Sequence, residues 1–288
     1  MIDKKSINTI YIISKGRPHC TTAKTLTDMG YQGEWFIVCG NNDETLPQYK
    51  KNWGDRVLVF DWYEQAKKSD FLDNFGTEKV SSGAVPVRNA VFTISKSRGE
   101  ERHWQFDDDY QSFWSIGEFD PYNVHRVGAE ELERKLYWIA QFGHEANIYN
   151  VGFSVPSESM PDSRFEFSKR VFNAHNMRNE NPTEWKGRTN DDLINAIETH
   201  KKGQYELSFK FLFLTMKETQ AESGGNTDIY QAHGTVRKTA YAILTEPKAV
   251  QLVGKFGRFH YSVNWGAICP RMIHEKWSKS GLQKVNQD

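Results

Sequence analysis

Eight residues, His103 to Tyr110 (HWQFDDDY), carry the strongest chemical pattern in the chain. Aromatic and apolar side chains run up to Phe106, and three carboxylates follow at once. A buried strand that ends this way puts its acids at the carboxyl edge of a sheet, where open α/β folds bind ligands. Side chains alternate along extended backbone, so Asp107 and Asp109 share one side and Asp108 takes the other. Two carboxylates on one side offer hard oxygen ligands to Mg²⁺ or Mn²⁺, above all to a cation shared with a diphosphate. Three acids after a strand also suit a plain solvated turn, so the neighbourhood has to decide.

Upstream, residues 83–102 read as a Gly-marked loop, a helix over Val87–Ser97 and the start of the strand. That helix opens with Arg88 and Asn89, and a helix N-terminus with its free N–H groups suits a phosphate. At the first strand's end, Ser14-Lys15-Gly16-Arg17-Pro18 forms a turn beside the acid edge. Gly16 permits close backbone approach there, and Arg17 can reach a pyrophosphate.

Glycine, Arg-Asn, helix, apolar strand and Asp-x-Asp, in that order, resemble the nucleotide-sugar half of GT-A glycosyltransferases. More narrowly, five segments resemble the phage TET-associated glycosyltransferases: ISKGRP at 13–18, VRNAVF at 87–92, HWQFDDD at 103–109, GGNTDIY at 224–230 and FGRFHYSVNW at 256–265. The resemblance implies a GT-A fold, an α/β architecture with a mixed, mostly parallel sheet flanked by helices. It implies transfer of a sugar to 5-hydroxymethylcytosine in phage DNA. The implied donor is a nucleotide sugar, UDP-glucose or UDP-GlcNAc for example, with Mn²⁺ or Mg²⁺ as cofactor. On this reading Ser14, Gly16, Arg17, Arg88, Asn89, Asp107, Asp108 and Arg258 hold the donor. Asp109 and Asp107 bind the metal, and His260 completes its shell; an imidazole favours Mn²⁺ over Mg²⁺.

Glycosyl transfer needs a base for the acceptor hydroxyl. The family holds a Glu-Asp pair eleven residues ahead of a helix-ending glycine, and counting back from Gly203 gives Asp192. Asp191 stands where the Glu would be, a shorter side chain. Asp192 is therefore expected as the base and Asp191 as its support, with inversion at the sugar carbon. Three other readings compete: the same chemistry on a glycan or protein acceptor, a non-catalytic DNA-binding module of the same fold, and a nucleotidyltransferase.

The elements that must position these residues follow from periodicity. Strands are expected at 7–14, 34–40 and 56–60, with helices at Thr21–Met29 and Leu46–Trp53 between them, the alternation of a parallel sheet. Residues 61–82 read as a loop with one short helix. An amphipathic helix spans Gly128–Phe142, followed by a strand over Ile148–Val155 that Gly152 interrupts. Residues 164–180 read as a strand pair around a turn at Ser168, with Arg164, Lys169, Arg170 and Arg178 set among phenylalanines; such interleaving suits nucleic acid or an ordinary charged hairpin. A helix capped by Asn190 or Asp191 runs from Asp192 to Gly203, then a strand over 205–216, a Gly-rich loop at 218–230 and a helix over Thr235–Thr245.

Length and composition fit one catalytic domain over 1–265, with a nucleotide-sugar half (1–127), an acceptor half (128–265) and a tail at 266–288. The 37 basic and 37 acidic residues cancel, so any nucleic-acid footprint must be local. No leading apolar segment or membrane-length run is present, and three scattered cysteines give no disulfide framework, which points to a cytoplasmic protein.

Overall fold

A computed structural model describes residues 3–72, 83–117, 123–156, 165–167, 169–216, 236, 239–255 and 257–268. The Gly-rich loop around Gly224 and the expected tail beyond residue 268 lie outside the described residues. The N-terminal part alternates as expected: β1 (Ile10–Ile13), α1 (Thr21–Asp28), β2 (Trp35–Gly40), α2 (Leu46–Trp53), β3 (Val57–Phe60), α3 (Trp62–Lys68), α4 (Val85–Ser97) and β4 (Arg102–Asp107). Then follow β5 (Tyr110–Ile116), β6 (Val124–Arg126), α5 (Ala129–Glu145), β7 (Asn150–Ser154), β8 (Phe165–Phe167), β9 (Ala174–Arg178), α6 (Asp191–Lys201) and β10 (Glu206–Met216). A separate ribbon of β11 (Val250–Lys255) and β12 (Arg258–Val263) precedes a short helix at Trp265–Ile268.

The main sheet has ten strands in the order β3-β2-β1-β4-β9-β7-β10-β5-β6, with β8 also on β10. Seven of the ten strands point one way and β5, β8 and β9 the other, so the sheet is mixed and mostly parallel. One sheet runs through both halves of the chain.

Burial follows the pleat. On one face Trp104, Phe106, Phe113, Val151 and Phe153 pack with Leu132, Leu136 and Ile139 of α5 and with Ala23 and Leu26 of α1. Ile10 and Ile12 point to this face, whereas Tyr11 and Ile13 pack with Val91 of α4 on the other. The α4 face is polar in its middle: His103, Gln105, His175, Asn150 and Glu206 are all buried there. No described helix is long and apolar enough to cross a membrane. Cys20 and Cys39 are free and buried.

Three expectations need correction. The stretch 164–180 is not a strand pair folded on itself: β8 pairs with β10, while β9 fills the gap between β4 and β7, antiparallel to both. Two parallel strands separated by one strand's width need that filler to satisfy both rows of backbone groups. Gly152 does not interrupt β7. A Cβ there would sit 1.9 Å from the Ala174 carbonyl oxygen, so the glycine admits the chain that enters β9. β5, directly after the acids, was not expected, because YQSFWSI mixes polar and aromatic residues without a clean boundary.

Candidate active site

The acids of the opening motif lie where β4 ends. Asp107 is the last strand residue, and Asp108 and Asp109 form the turn into β5. The N-terminus of α1 buttresses this turn: Thr22 Oγ1 donates to the Asp107 carbonyl at 2.6 Å and accepts from the Tyr110 N–H at 2.9 Å.

The three carboxylates do different work. Asp107 accepts from Arg88 Nη2 at 2.9 Å on the α4 face. Asp108 turns the other way, as alternation requires. It accepts from Ser14 Oγ at 2.5 Å and Arg17 Nη1 at 2.8 Å, and so locks the β1 turn to the β4 turn. Burial raises its carboxyl against the pull of Arg17. Asp109 has a buried Oδ1 with no hydrogen-bond partner among the described residues. Burial first, and then the charges of Asp107 and Asp108, push its carboxyl up to about 7. A buried carboxylate oxygen without a donor is costly unless a proton or a cation meets it.

The β1 turn is built as a cradle. Gly16, at φ +71°, donates its N–H to Asp43 at 2.8 Å, and Tyr49 Oη accepts from the Arg17 N–H at 2.9 Å while meeting Ser14 Oγ. Ser14, Gly16 and Arg17 are thus gathered beside the acids.

Across the cleft stands α6. Its N-cap, Asn190, adopts a left-handed φ of 57° and makes no capping hydrogen bond with its side chain. Asp191 and Asp192 are the first helical residues, one position earlier than expected. Arg88 bridges the two sides of the cleft: its Nε donates to Asp191 Oδ2 at 2.9 Å, while its Nη2 holds Asp107. The guanidinium lies 4.5 Å from the Trp185 ring centroid. Its third nitrogen, Nη1, is buried with no partner among the described residues, as is Trp185 Nε1. Burial raises Asp191 to about 6 in spite of Arg88. Asp192 is less buried and pairs with Arg170 at 3.1 Å.

The structure therefore gathers Ser14, Gly16, Arg17, Arg88, Asp107, Asp108, Asp109, Asp191 and Asp192. Asn89 takes a structural role in place of the expected one. Asn89 spends both ends of its amide on the Trp185 backbone, donating to its carbonyl at 3.0 Å and accepting from its N–H at 2.8 Å. It sets Trp185 under Arg88. His260 lies on β12 opposite Val253, on the strand face away from Tyr261 and Val263, which pack toward α6. Among the described residues no three His, Cys, Asp or Glu side chains gather as a metal-holding group. Arg258 begins β12, with its backbone opposite Lys255. Sequence reasoning passed over Trp185, Thr22 and Tyr49, because nothing local marks a side chain that acts on residues far along the chain.

A cluster of carboxylates at the carboxyl edge of a mixed α/β sheet, cross-braced by arginine, marks the candidate site. The family model described as TET-Associated Glycosyltransferase matches residues 8–225, and the chain belongs to that family. It is a glycosyltransferase acting in DNA modification. No curated protein matches the chain. Among solved structures, one described as CMP:2-keto-3-deoxy-manno-octonic acid synthetase complexed with CTP is 9% identical, covering 71% of this chain and 89% of that chain at a TM-score of 0.38.

Proposed function

We propose that this glycosyltransferase moves a sugar from a uridine diphosphate sugar to the hydroxyl of 5-hydroxymethylcytosine in DNA, with a divalent cation at Asp109 and Asp107. The observation that carries the reading is Asp109 Oδ1, a buried carboxylate oxygen with no donor among the described residues, which feels the charges of Asp107, Asp108 and Arg17. Two carboxylates are a suitable protein share for a cation whose other ligands come from a diphosphate. When bound, Mn²⁺ or Mg²⁺ supplies Lewis-acid stabilisation of the departing diphosphate.

The chain's own residues do the rest. Arg88 Nη1 and Arg17 offer cationic donors to the phosphates, and Arg88 keeps Asp107 and Asp191 at fixed separation. Asp192 takes the proton of the hydroxymethyl group as its oxygen attacks the anomeric carbon and the bond to the diphosphate breaks, which inverts that carbon.

Nucleoside mass spectrometry tests this. Hydroxymethylcytosine DNA is incubated with Mn²⁺ and a panel of sugar nucleotides, then digested. A hexose-sized mass gain on the modified base, absent with Asp109→Asn, is expected. Donor breakdown without any gain on the base would move the acceptor to another hydroxyl compound.

A further inference from the structure

Asp192 is held from a side that the mechanism above leaves unused. Its Oδ2 accepts from Arg170 Nη1 at 3.1 Å, and the same nitrogen donates to Tyr261 Oη at 2.9 Å. The guanidinium lies 4.1 Å from the Phe172 ring centroid. Oδ1 of Asp192 has no hydrogen-bond partner among the described residues, so one oxygen is tethered and the other is left for a proton.

Arg170 belongs to the irregular segment between β8 and β9, which has no ladder of its own. Glu206, the buried first residue of β10, fixes that segment. Its Oε2 accepts from the Val171 N–H at 2.8 Å, and its Oε1 accepts from Asn150 Nδ2 at 3.0 Å. Gly152 supplies the space, since a Cβ there would meet both Val171 and Ala174. Tyr261 arrives from the other direction. It sits on β12, whose base packs on Leu193 and Ile197 of α6. Residues far apart in the chain thus converge on one carboxylate.

We infer that Glu206, Arg170 and Tyr261 form a positioning relay for Asp192, in which the strand anchors the segment, the segment aims the guanidinium, and the ribbon closes it. The inference rests on the reading of Asp192 as the acceptor base. A planar guanidinium stacked on a ring has few ways to move, so it orients a carboxylate better than a lysine does. Misplacing a reacting group by an ångström is enough to slow chemistry without weakening donor binding. The relay also links the ribbon's seating to the base, because Tyr261 leaves Arg170 if the ribbon lifts.

Two measurements test it. The first needs no substrate: unfolding free energies of Arg170→Met, Asp192→Asn and the double variant. Groups in direct contact are non-additive, so a clear coupling is expected and strict additivity overturns the relay. The second uses UDP-glucose, Mn²⁺ and hydroxymethylcytosine DNA. Tyr261→Phe is expected to lower kcat about fivefold with donor KM within about twofold, the signature of lost transition-state alignment. Arg170→Gly is expected to lose more than about tenfold and to recover on addition of methylguanidinium, which a purely structural role would not allow. If Asp192→Asn is inactive while Tyr261→Phe keeps wild-type kcat and Arg170→Gly ignores methylguanidinium, the relay falls and the base reading stands. If Asp192→Asn is fully active, the base reading falls and takes the relay with it.

Discussion

The two faces of the central sheet are built from the same strands, and along β4 and β7 they differ in content. Along β4, Trp104 and Phe106 enter the apolar layer under α5, while His103, Gln105 and Asp107 enter the layer under α4. β7 repeats the split, with Val151 and Phe153 on one side and Asn150 and Gly152 on the other. The α5 face carries the largest apolar cluster, and smaller ones flank the polar middle of the α4 face. The polar face holds buried groups whose partners are incomplete: Arg88 Nη1, Gln105 Oε1, Asn150 Oδ1 and His175 Nε2 have none among the described residues. Each such group costs stability. Those beside the acids support the proposed site, while others, such as Tyr31 Oη, lie in the apolar layer.

Substitutions on the two faces should therefore part company. The largest effect is expected for Asp109→Asn, with transfer falling by about a thousandfold as cation stabilisation of the leaving group is lost. Its thermal midpoint is expected to stay level or rise, since a buried carboxyl without a donor disappears. Kinetics paired with calorimetry reads both. A large fall in stability would place Asp109 in the scaffold instead.

Phe106→Ala is the mirror experiment, expected to cost about 3–5 kcal/mol of unfolding free energy. The chemistry of whatever folds should be preserved, measured as kcat per folded molecule. Next comes Arg88→Lys, which keeps the charge and loses the fork that joins Asp107 to Asp191. A loss of about 2 kcal/mol is expected by denaturant titration, the worth of hydrogen bonds to charged groups. A neutral result would mean that the two acids do not need their bridge.

The polar face should also set the pH response. Asp109, Asp191 and Glu206 are raised to about 7, 6 and 8, chiefly by burial, from ordinary carboxyl values of 3.8, 3.8 and 4.5. Between those limits the folded state binds more protons than the unfolded one. The stability this gives is present below about pH 4 and is lost as pH rises through 6 to 8. The melting temperature of the ligand-free protein should fall over that window, and Glu206→Gln should flatten the upper part. Mn²⁺ should reverse the trend by stabilising the charged Asp109 above pH 7, an effect absent in Asp109→Asn. A melting temperature that rises from pH 5 to 8 without cation would contradict this assignment.

The smallest effect is expected on the outer surface of α5. Trp138 is half exposed on the side turned from the core, and Trp138→Ala should change stability by only about 0.5 kcal/mol.

Much of the acid edge of β1 and β4 was legible because it is local. HWQFDDDY announces a strand ending in acids, SKGRP announces a turn, and a single alternation rule separates Asp108 from its neighbours. The Arg-Asn pair was legible as a motif, although its two members proved to work differently. Asn89 faces Trp185, ninety-six residues away, and no local pattern encodes that contact. The acceptor side was harder. Arg170 read first as part of an ordinary charged hairpin, and Glu206 was one residue of an expected strand.

By itself the sequence determined the alternation of elements, the acid tip on β4, the two acids that open α6 and the absence of a global charge. These depend on neighbours in the chain, where periodicity and propensity act. Only the tertiary structure decided that β9 runs backwards between β4 and β7, that Arg88 spans Asp107 and Asp191, and that Tyr261 reaches Arg170. Those outcomes depend on which backbone rows need partners and which side chains meet across the sheet, and chain-local patterns carry no record of either.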